Sequence, residues 1–165
     1  MSKKAGGAKK ASETPEVKVV ARNKRAGFDF TIEEKLEAGL VLTGSEVKSL
    51  RAGNANLADA YAQPRGDELF LMNCRIGEYD KASYFGHAPL RERKLLVGRA
   101  QIDKLSAKVE RAGYTLVPTQ IYFRGGWAKV ELALAKGRTH EDRRGAIAER
   151  ESKREMDRAM SQRRR

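Results

Sequence analysis

The sequence predicts a mainly β fold: a closed antiparallel sheet of about six strands with two to three helices, flanked by disordered basic tails. Three observations lead there. Apolar and polar side chains alternate over short stretches, glycine-containing steps separate those stretches, and only two internal segments carry helical spacing. At 165 residues the chain suffices for one domain and falls short of two comfortable ones.

Residues 1–21 are dominated by Lys, Ala, Gly, Ser and Glu, with Pro15, and are expected to be disordered. Order is expected to begin near Phe28. There Phe28, Phe30 and Ile32 alternate with Asp29, Thr31 and Glu33 as a half-buried strand. Leu40-Val41-Leu42 continues it past a bulge at Gly39. Thr43-Gly44-Ser45-Glu46 has capping-box spacing and opens a short helix that buries Val47 and Leu50 and stops at Gly53.

Strands at about 58–64 and 68–76 pair through Arg65-Gly66-Asp67. From Gly77 to Arg93 the periodicity is lost, and a loop this long often carries binding. A helix over about Arg99–Ala112 presents Ile102, Leu105 and Val109 on one stripe and ends at Gly113. Strands at about 114–123 and 127–135 then turn at Gly125-Gly126. In the last, Val130, Leu132 and Leu134 face in while Lys129, Glu131 and Ala133 face out. Residues 138–165 have helical composition but offer only Ile147, Met156 and Met160 as a stripe, so this helix should form only against a partner. Such a strand count, with a helix between the later strands, fits an OB-type barrel; a β-sandwich reads similarly.

Charge narrows the partner. The chain carries 34 Lys and Arg against 22 Asp and Glu, for a net charge of +12. Residues 1–25 account for +6 and residues 138–165 for +4, so the middle is nearly balanced. Such a field draws polyanions, acidic membranes included. Cys74 is the single cysteine, which excludes an internal disulfide and a thiolate zinc site. Apolar runs are strand-sized and Met1-Ser2-Lys3-Lys4 is not followed by an apolar core, so a cytoplasmic location is expected. Glu33, Glu34 and Glu37 are the one conceivable metal cluster of a nuclease. His87 and His140 lack ligand spacing, and no nucleophile elbow or phosphate loop occurs. No catalysis and no cofactor are expected.

Several blocks are more specific. They are Asn23-Lys24-Arg25-Ala26, Phe30-Thr31-Ile32-Glu33-Glu34, and the unbroken run from Glu37-Ala38-Gly39-Leu40 through Gly44-Ser45-Glu46-Val47-Lys48-Ser49-Leu50-Arg51-Ala52-Gly53. Asn56-Leu57, Asp59, Tyr61, Pro89-Leu90-Arg91 and Arg93-Lys94-Leu95-Leu96 follow. Gly113-Tyr114-Thr115-Leu116-Val117-Pro118 and Lys129-Val130-Glu131-Leu132-Ala133-Leu134-Ala135-Lys136-Gly137 complete the series. In this order and register the sequence resembles the SsrA-binding (small protein B) family, from about Arg22 to the C-terminus.

The resemblance implies an OB-type barrel over 22–137 that binds the tRNA-like domain of transfer-messenger RNA (tmRNA). It further implies delivery of that RNA to stalled ribosomes for trans-translation, in which the nascent peptide is tagged for degradation. The C-terminal tail, 138–165, would be helical in the empty mRNA channel. Elongation factor Tu would be a partner through the aminoacylated RNA, and the free protein would be a monomer. Positions matching the family's RNA face are Asn23, Arg25, Glu37, Arg51, Lys94, Leu96, Lys129, Lys136 and Arg138. Basic side chains there suit phosphates, Asn23 a backbone or base edge, and Leu96 an exposed loop base. In the tail, Asp142-Arg143-Arg144 matches the family's Asp-Lys-Arg step with Arg143 in place of Lys, Met156 and Met160 would supply an apolar contact in the channel, and Gly27-Phe28 and Ala159 depart from the usual pattern.

Each residue also has an ordinary structural role. Glu37 and Glu46 read as caps or surface charges, Leu96 as core, Lys129 as an edge guard, and Trp127 as a packing anchor. The alternative function is a general OB-fold module for single-stranded RNA, or another ribosome-associated protein, acting by stacking and charge.

Overall fold

The computed structural model describes residues 15–81 and 86–163, which build a sheet that closes on itself. In chain order the elements are β1 (Val17–Arg22), α1 (Ala26–Asp29), β2 (Phe30–Leu40), α2 (Gly44–Arg51), β3 (Ala55–Asn56) and β4 (Tyr61–Arg65). After them come β5 (Glu68–Met72), β6 (Arg75–Ile76), β7 (Arg93–Leu96), α3 (Arg99–Ala112), β8 (Tyr114–Arg124), β9 (Trp127–Gly137) and α4 (His140–Arg163). Antiparallel pairing runs β8-β4-β5-β7-β2-β9, and β9 returns to β8, giving a ring of six strands. β1 adds to the far end of β8, and β3 with β6 forms a separate two-stranded ribbon.

Local chemistry explains the joints. Gly125 and Gly126 both hold positive φ, 56° and 82°, so the β8–β9 hairpin needs residues without a side chain there. Pro118 cannot donate to a ladder, and the β8 register shifts between Pro118 and Gln120. Inside the ring Leu69, Leu71, Leu95, Leu116, Ile121, Val130, Leu132 and Leu134 are almost fully buried. Each such side chain contributes about 1.5–3 kcal/mol. α3 lays Ile102 and Leu105 onto this core and ends at Gly113, whose φ of 64° makes the left-handed cap.

The structure corrects several expectations. Order begins ahead of residue 22: Val17, Val19 and Ala21 pair with β8, because the valines alternate within a segment whose composition is otherwise lysine-rich. The rest of the expected N-terminal tail, residues 1–14, lies outside the described residues, as do 164–165. Phe28 sits in the one-turn helix α1, so the strand starts at Phe30, and it ends at Leu40. Its irregularity falls between Ile32 and Glu34, not at Gly39. Gly39 has another use: a Cβ there would lie 3.1 Å from the Leu96 Cβ, so glycine permits β7 to approach.

β7 itself was not expected, because Arg93 is the buried partner of Leu95 in its alternation and a charged residue hides the pattern. Ala133 is fully buried instead of facing out; nearby on β9, Ala135 joins Val117 in a small cluster under Ala26. The C-terminal segment, expected to be unfolded when free, is helical over 24 residues. Thr139 caps its first turn, its Oγ1 accepting from the Asp142 N–H at 3.4 Å while the Asp142 carboxylate accepts from the Thr139 N–H at 3.2 Å, and Arg150 lies 5.7 Å from the Phe28 ring centroid. No described helix is long and apolar enough to cross a membrane.

Candidate nucleic-acid interface

Pairing of β2 with β9 and of β9 with β8 sets Gly39 opposite Lys129 and Lys129 opposite Tyr122. On this outer face Glu37 gathers three partners. Arg124 Nη1 lies 3.0 Å and Lys129 Nζ 3.6 Å from its carboxylate, and Tyr122 donates its hydroxyl proton to Glu37 Oε2. Burial and the adjoining Glu37 carboxylate push the Tyr122 phenol up to about 12, so it remains a donor at neutral pH. One carboxylate shared by two cations leaves the patch net positive. Next to it Glu131 binds Lys35 at 2.8 Å and accepts from Thr119 and Gln120. Burial favours its neutral form, but these partners outweigh burial and lower its pKa.

Beside this patch runs an open groove of about 480 Å³, lined by Gly39, Val41, Leu96, Phe123, Trp127 and Lys129 among others. Leu96 is 57% exposed and Trp127 75% exposed. Neither is core, so the packing-anchor reading of Trp127 does not hold. Arg51, the last residue of α2, lies 5.6 Å from the Phe123 ring centroid and lines an adjoining cleft with Lys18 and Glu16. Lys94 points outward from β7 and pairs with Glu68.

The remaining expected residues lie in another group. Asn23 Nδ2 donates to Leu57 O at 3.1 Å and Pro118 O at 3.2 Å, while its Oδ1 accepts from the Arg25 and Ala26 N–H groups. Its amide is thereby fully engaged with backbone, so Asn23 shapes the turn into α1 and has no free group for a base edge. Arg25 pairs with Asp29 at 3.4 Å, and Arg138 N–H donates to Asp29 O at 3.0 Å. Arg25, Asp29, Tyr61 and Arg143 line a cleft of about 450 Å³. Lys136 is exposed near the end of β9, in register with Thr31 and Tyr114. On α4, Arg144, Met156 and Met160 are exposed, while the Asp142 carboxylate accepts from the N–H of the capping residue Thr139.

The nuclease constellation is dispersed. Glu33 accepts from Tyr114, Glu34 binds Lys104 and Lys108, and Glu37 holds the patch described above. His87 is buried between Ser45 and Ile76 O. Among the described residues no group of three or more His, Cys, Asp and Glu is placed to hold a metal ion. Sequence reasoning missed Arg124 and Tyr122 at the patch. The available signal was their two-residue spacing on the same strand as the outward side of β8.

Residues 20–162 match the family described as SmpB protein. The chain belongs to the SmpB family. An SmpB relative named SsrA-binding protein, from Anaeromyxobacter sp. (strain K), is 69% identical over 165 residues, 100% of this chain and 99% of its own. Its namesake from Myxococcus xanthus (strain DK1622) is 61% identical over 158 residues, covering 96% and 98%. That from Thermobifida fusca (strain YX) is 56% identical over 147 residues, covering 89% and 92%. The fold is similar to a solved structure described as "tmRNA-SmpB: a journey to the center of the bacterial ribosome". That similarity has a TM-score of 0.63 and 44% identity, and spans 77% of this chain and 93% of the other.

Proposed function

We propose that this SmpB family member binds the tRNA-like domain of tmRNA and takes part with it in trans-translation on stalled ribosomes. The observation that carries this is the Glu37–Arg124–Lys129 patch beside the exposed Leu96–Trp127 groove. Cations, a fixed acceptor and an apolar slot on one face suit a structured RNA, whose loops present both phosphate and unstacked bases. The six-strand ring is read as an OB-type barrel, with its RNA-binding unit spanning 22–137 and β1 as an added strand. Arg51 and Lys94 extend the phosphate-facing surface, and Arg25, Lys136 and Arg138 form a second basic area where β9 meets α4. Asn23 acts there by holding the turn.

α4 is read as the element that enters the empty mRNA channel, its basic side chains meeting ribosomal RNA phosphate and Met156 and Met160 supplying apolar contact. The protein acts in the cytoplasm as an adaptor and not as a catalyst, and elongation factor Tu joins through the aminoacylated RNA. Sequencing of RNA that co-purifies with the native protein is expected to return tmRNA as the dominant species. Truncation after Gly137 should leave that RNA bound within roughly threefold, about 0.7 kcal/mol, yet abolish peptide tagging on stalled ribosomes. Normal tagging by the truncated chain would refute the role given to α4.

A further inference from the structure

We infer that α4 is latched onto α1 from His140 to Arg150 and that Arg143 keeps this latch weak enough for the helix to be handed over; the handover rests on the channel role given to α4 above. This stretch has little reason to be helical alone, since Gly145 interrupts it and its apolar side chains are few. The barrel supplies the support. Arg138 N–H donates to Asp29 O at 3.0 Å and Thr139 caps the helix at once, so α4 leaves β9 packed against α1. Arg143, Ala146, Ile147 and Arg150 then share one helical face. Arg143 and Ala146 are half-buried on it, and Arg150 ends it over the Phe28 ring, 5.7 Å from the centroid. Beyond Arg150 every side chain through Gln162 is exposed.

The composition of the contact favours release. No side chain from His140 to Gln162 is fully buried, and Ile147, the large apolar residue of the face, remains 42% exposed. A permanent interface would put buried apolar side chains there. Arg143 instead lines the cleft of about 450 Å³ together with Arg25, Asp29 and Tyr61. Arg25 already holds the Asp29 carboxylate, and the buried Arg143 Nε makes no hydrogen bond among the described residues. An N–H taken from water without an acceptor opposes docking, so Arg143 weakens the state that it helps to form. Phosphate oxygens would satisfy that N–H and draw the helix away. Phe28 is presented by α1, whose entry turn Asn23 holds through the Arg25 and Ala26 N–H groups, so that turn also positions the latch.

Amide hydrogen exchange on the full, RNA-free chain reads the latch. Protection over 144–150 should exceed that over 154–162 by about tenfold. Phe28→Ala should bring the two segments level while β8 and β9 keep their protection. Arg150→Gln should do the same in part without touching the barrel. Arg143→Met tests the weakening role. Arg and Met have nearly equal helix propensity, so loss of the orphan N–H should raise protection over 144–150 by at least about threefold. Arg144→Met, exposed and one residue on, controls for a cation near the helix start and should change it far less. Equal protection of the two segments in the native chain, or no loss in Phe28→Ala, overturns the latch. Reduced protection in Arg143→Met would make Arg143 the anchor and overturn the weakening role. On stalled ribosomes Arg143→Met should slow peptide tagging, and adding Phe28→Ala to that chain should restore it; a defect that Phe28→Ala does not relieve overturns the handover. Normal tagging after truncation at Gly137 would instead remove the channel role and leave the exchange results standing.

Discussion

Glu46 and Glu37 each hold two cations, and they do opposite work. Glu46, in the first turn of α2, is fully buried. It accepts from Arg93 Nε at 2.8 Å, from Arg91 Nη2 at 2.7 Å and from the Thr43 N–H at 2.8 Å. Arg93 is equally buried and donates onward to Cys74 O and Pro89 O. Together they tie α2 to Cys74, just ahead of β6, and to Pro89 and Arg91, just ahead of β7. Glu37 has the same charge pattern, but its side chain and those of Arg124 and Lys129 are each about a third to a half exposed. Burial decides the difference. A carboxylate out of water with every lone pair satisfied is structural, and one at the surface leaves its cations free to exchange partners.

The largest effect should come from Glu46→Ala, which leaves Arg93 charged and buried without its partner. A loss of about 3–5 kcal/mol in stability is expected, read by urea denaturation. A loss under ~1 kcal/mol would mean that the buried cluster is not the stronger of the two. Acid should expose the same group next. Burial alone would raise the Glu46 pKa, but the Arg91 and Thr43 hydrogen bonds and the Arg93 charge outweigh it and hold the value at about 2. A depressed folded-state pKa adds stability above the ordinary carboxylate range and loses it as pH falls toward that value. About 3 kcal/mol should therefore disappear between roughly pH 5 and 2, as measured by denaturation curves across that window.

Glu37→Ala should shift stability by less than about 1 kcal/mol. RNA binding should nonetheless weaken several-fold, although the substitution makes the protein more positive. Tighter binding to the cognate RNA would place Glu37 with simple surface charges and erase the contrast with a site that orients its cations. The smallest effect is expected from Lys129→Ala: a shallower salt dependence, by about one unit of log–log slope for the lost phosphate contact. An unchanged slope would take Lys129 out of the interface.

Local signals carried much of the fold. The apolar stripe and Gly113 placed α3 at Arg99–Ala112, and the Gly125-Gly126 step placed the long hairpin. The Thr43–Glu46 spacing placed the start of α2. Features that depend on what faces a residue across the sheet did not show. Arg93 reads as a surface charge until Glu46, Cys74 and Pro89 surround it, and its strand was lost with it. Arg124, Tyr122 and Lys129 meet Glu37 only through the β2–β9–β8 register, which joins positions more than eighty residues apart in the case of Tyr122 and Glu37. Asn23 was legible as important from its sequence block, but its use, four bonds to backbone, needed the turn itself.

The closed ring also bears on self-association. Each of its six strands has a neighbour on both sides, although β2 meets β7 only at Gly39 and Leu40 and β4 meets β8 only at Ala62. Among the described residues the one strand of this sheet paired on a single side is β1. It is six residues long, irregular between Val19 and Ala21, and carries Lys18 and Arg22. A short, kinked, cationic rim is a poor nucleus for cross-β growth, and a chain with this much positive charge would reach it only against its own repulsion. Where the sheet stops it therefore offers a second chain little to extend.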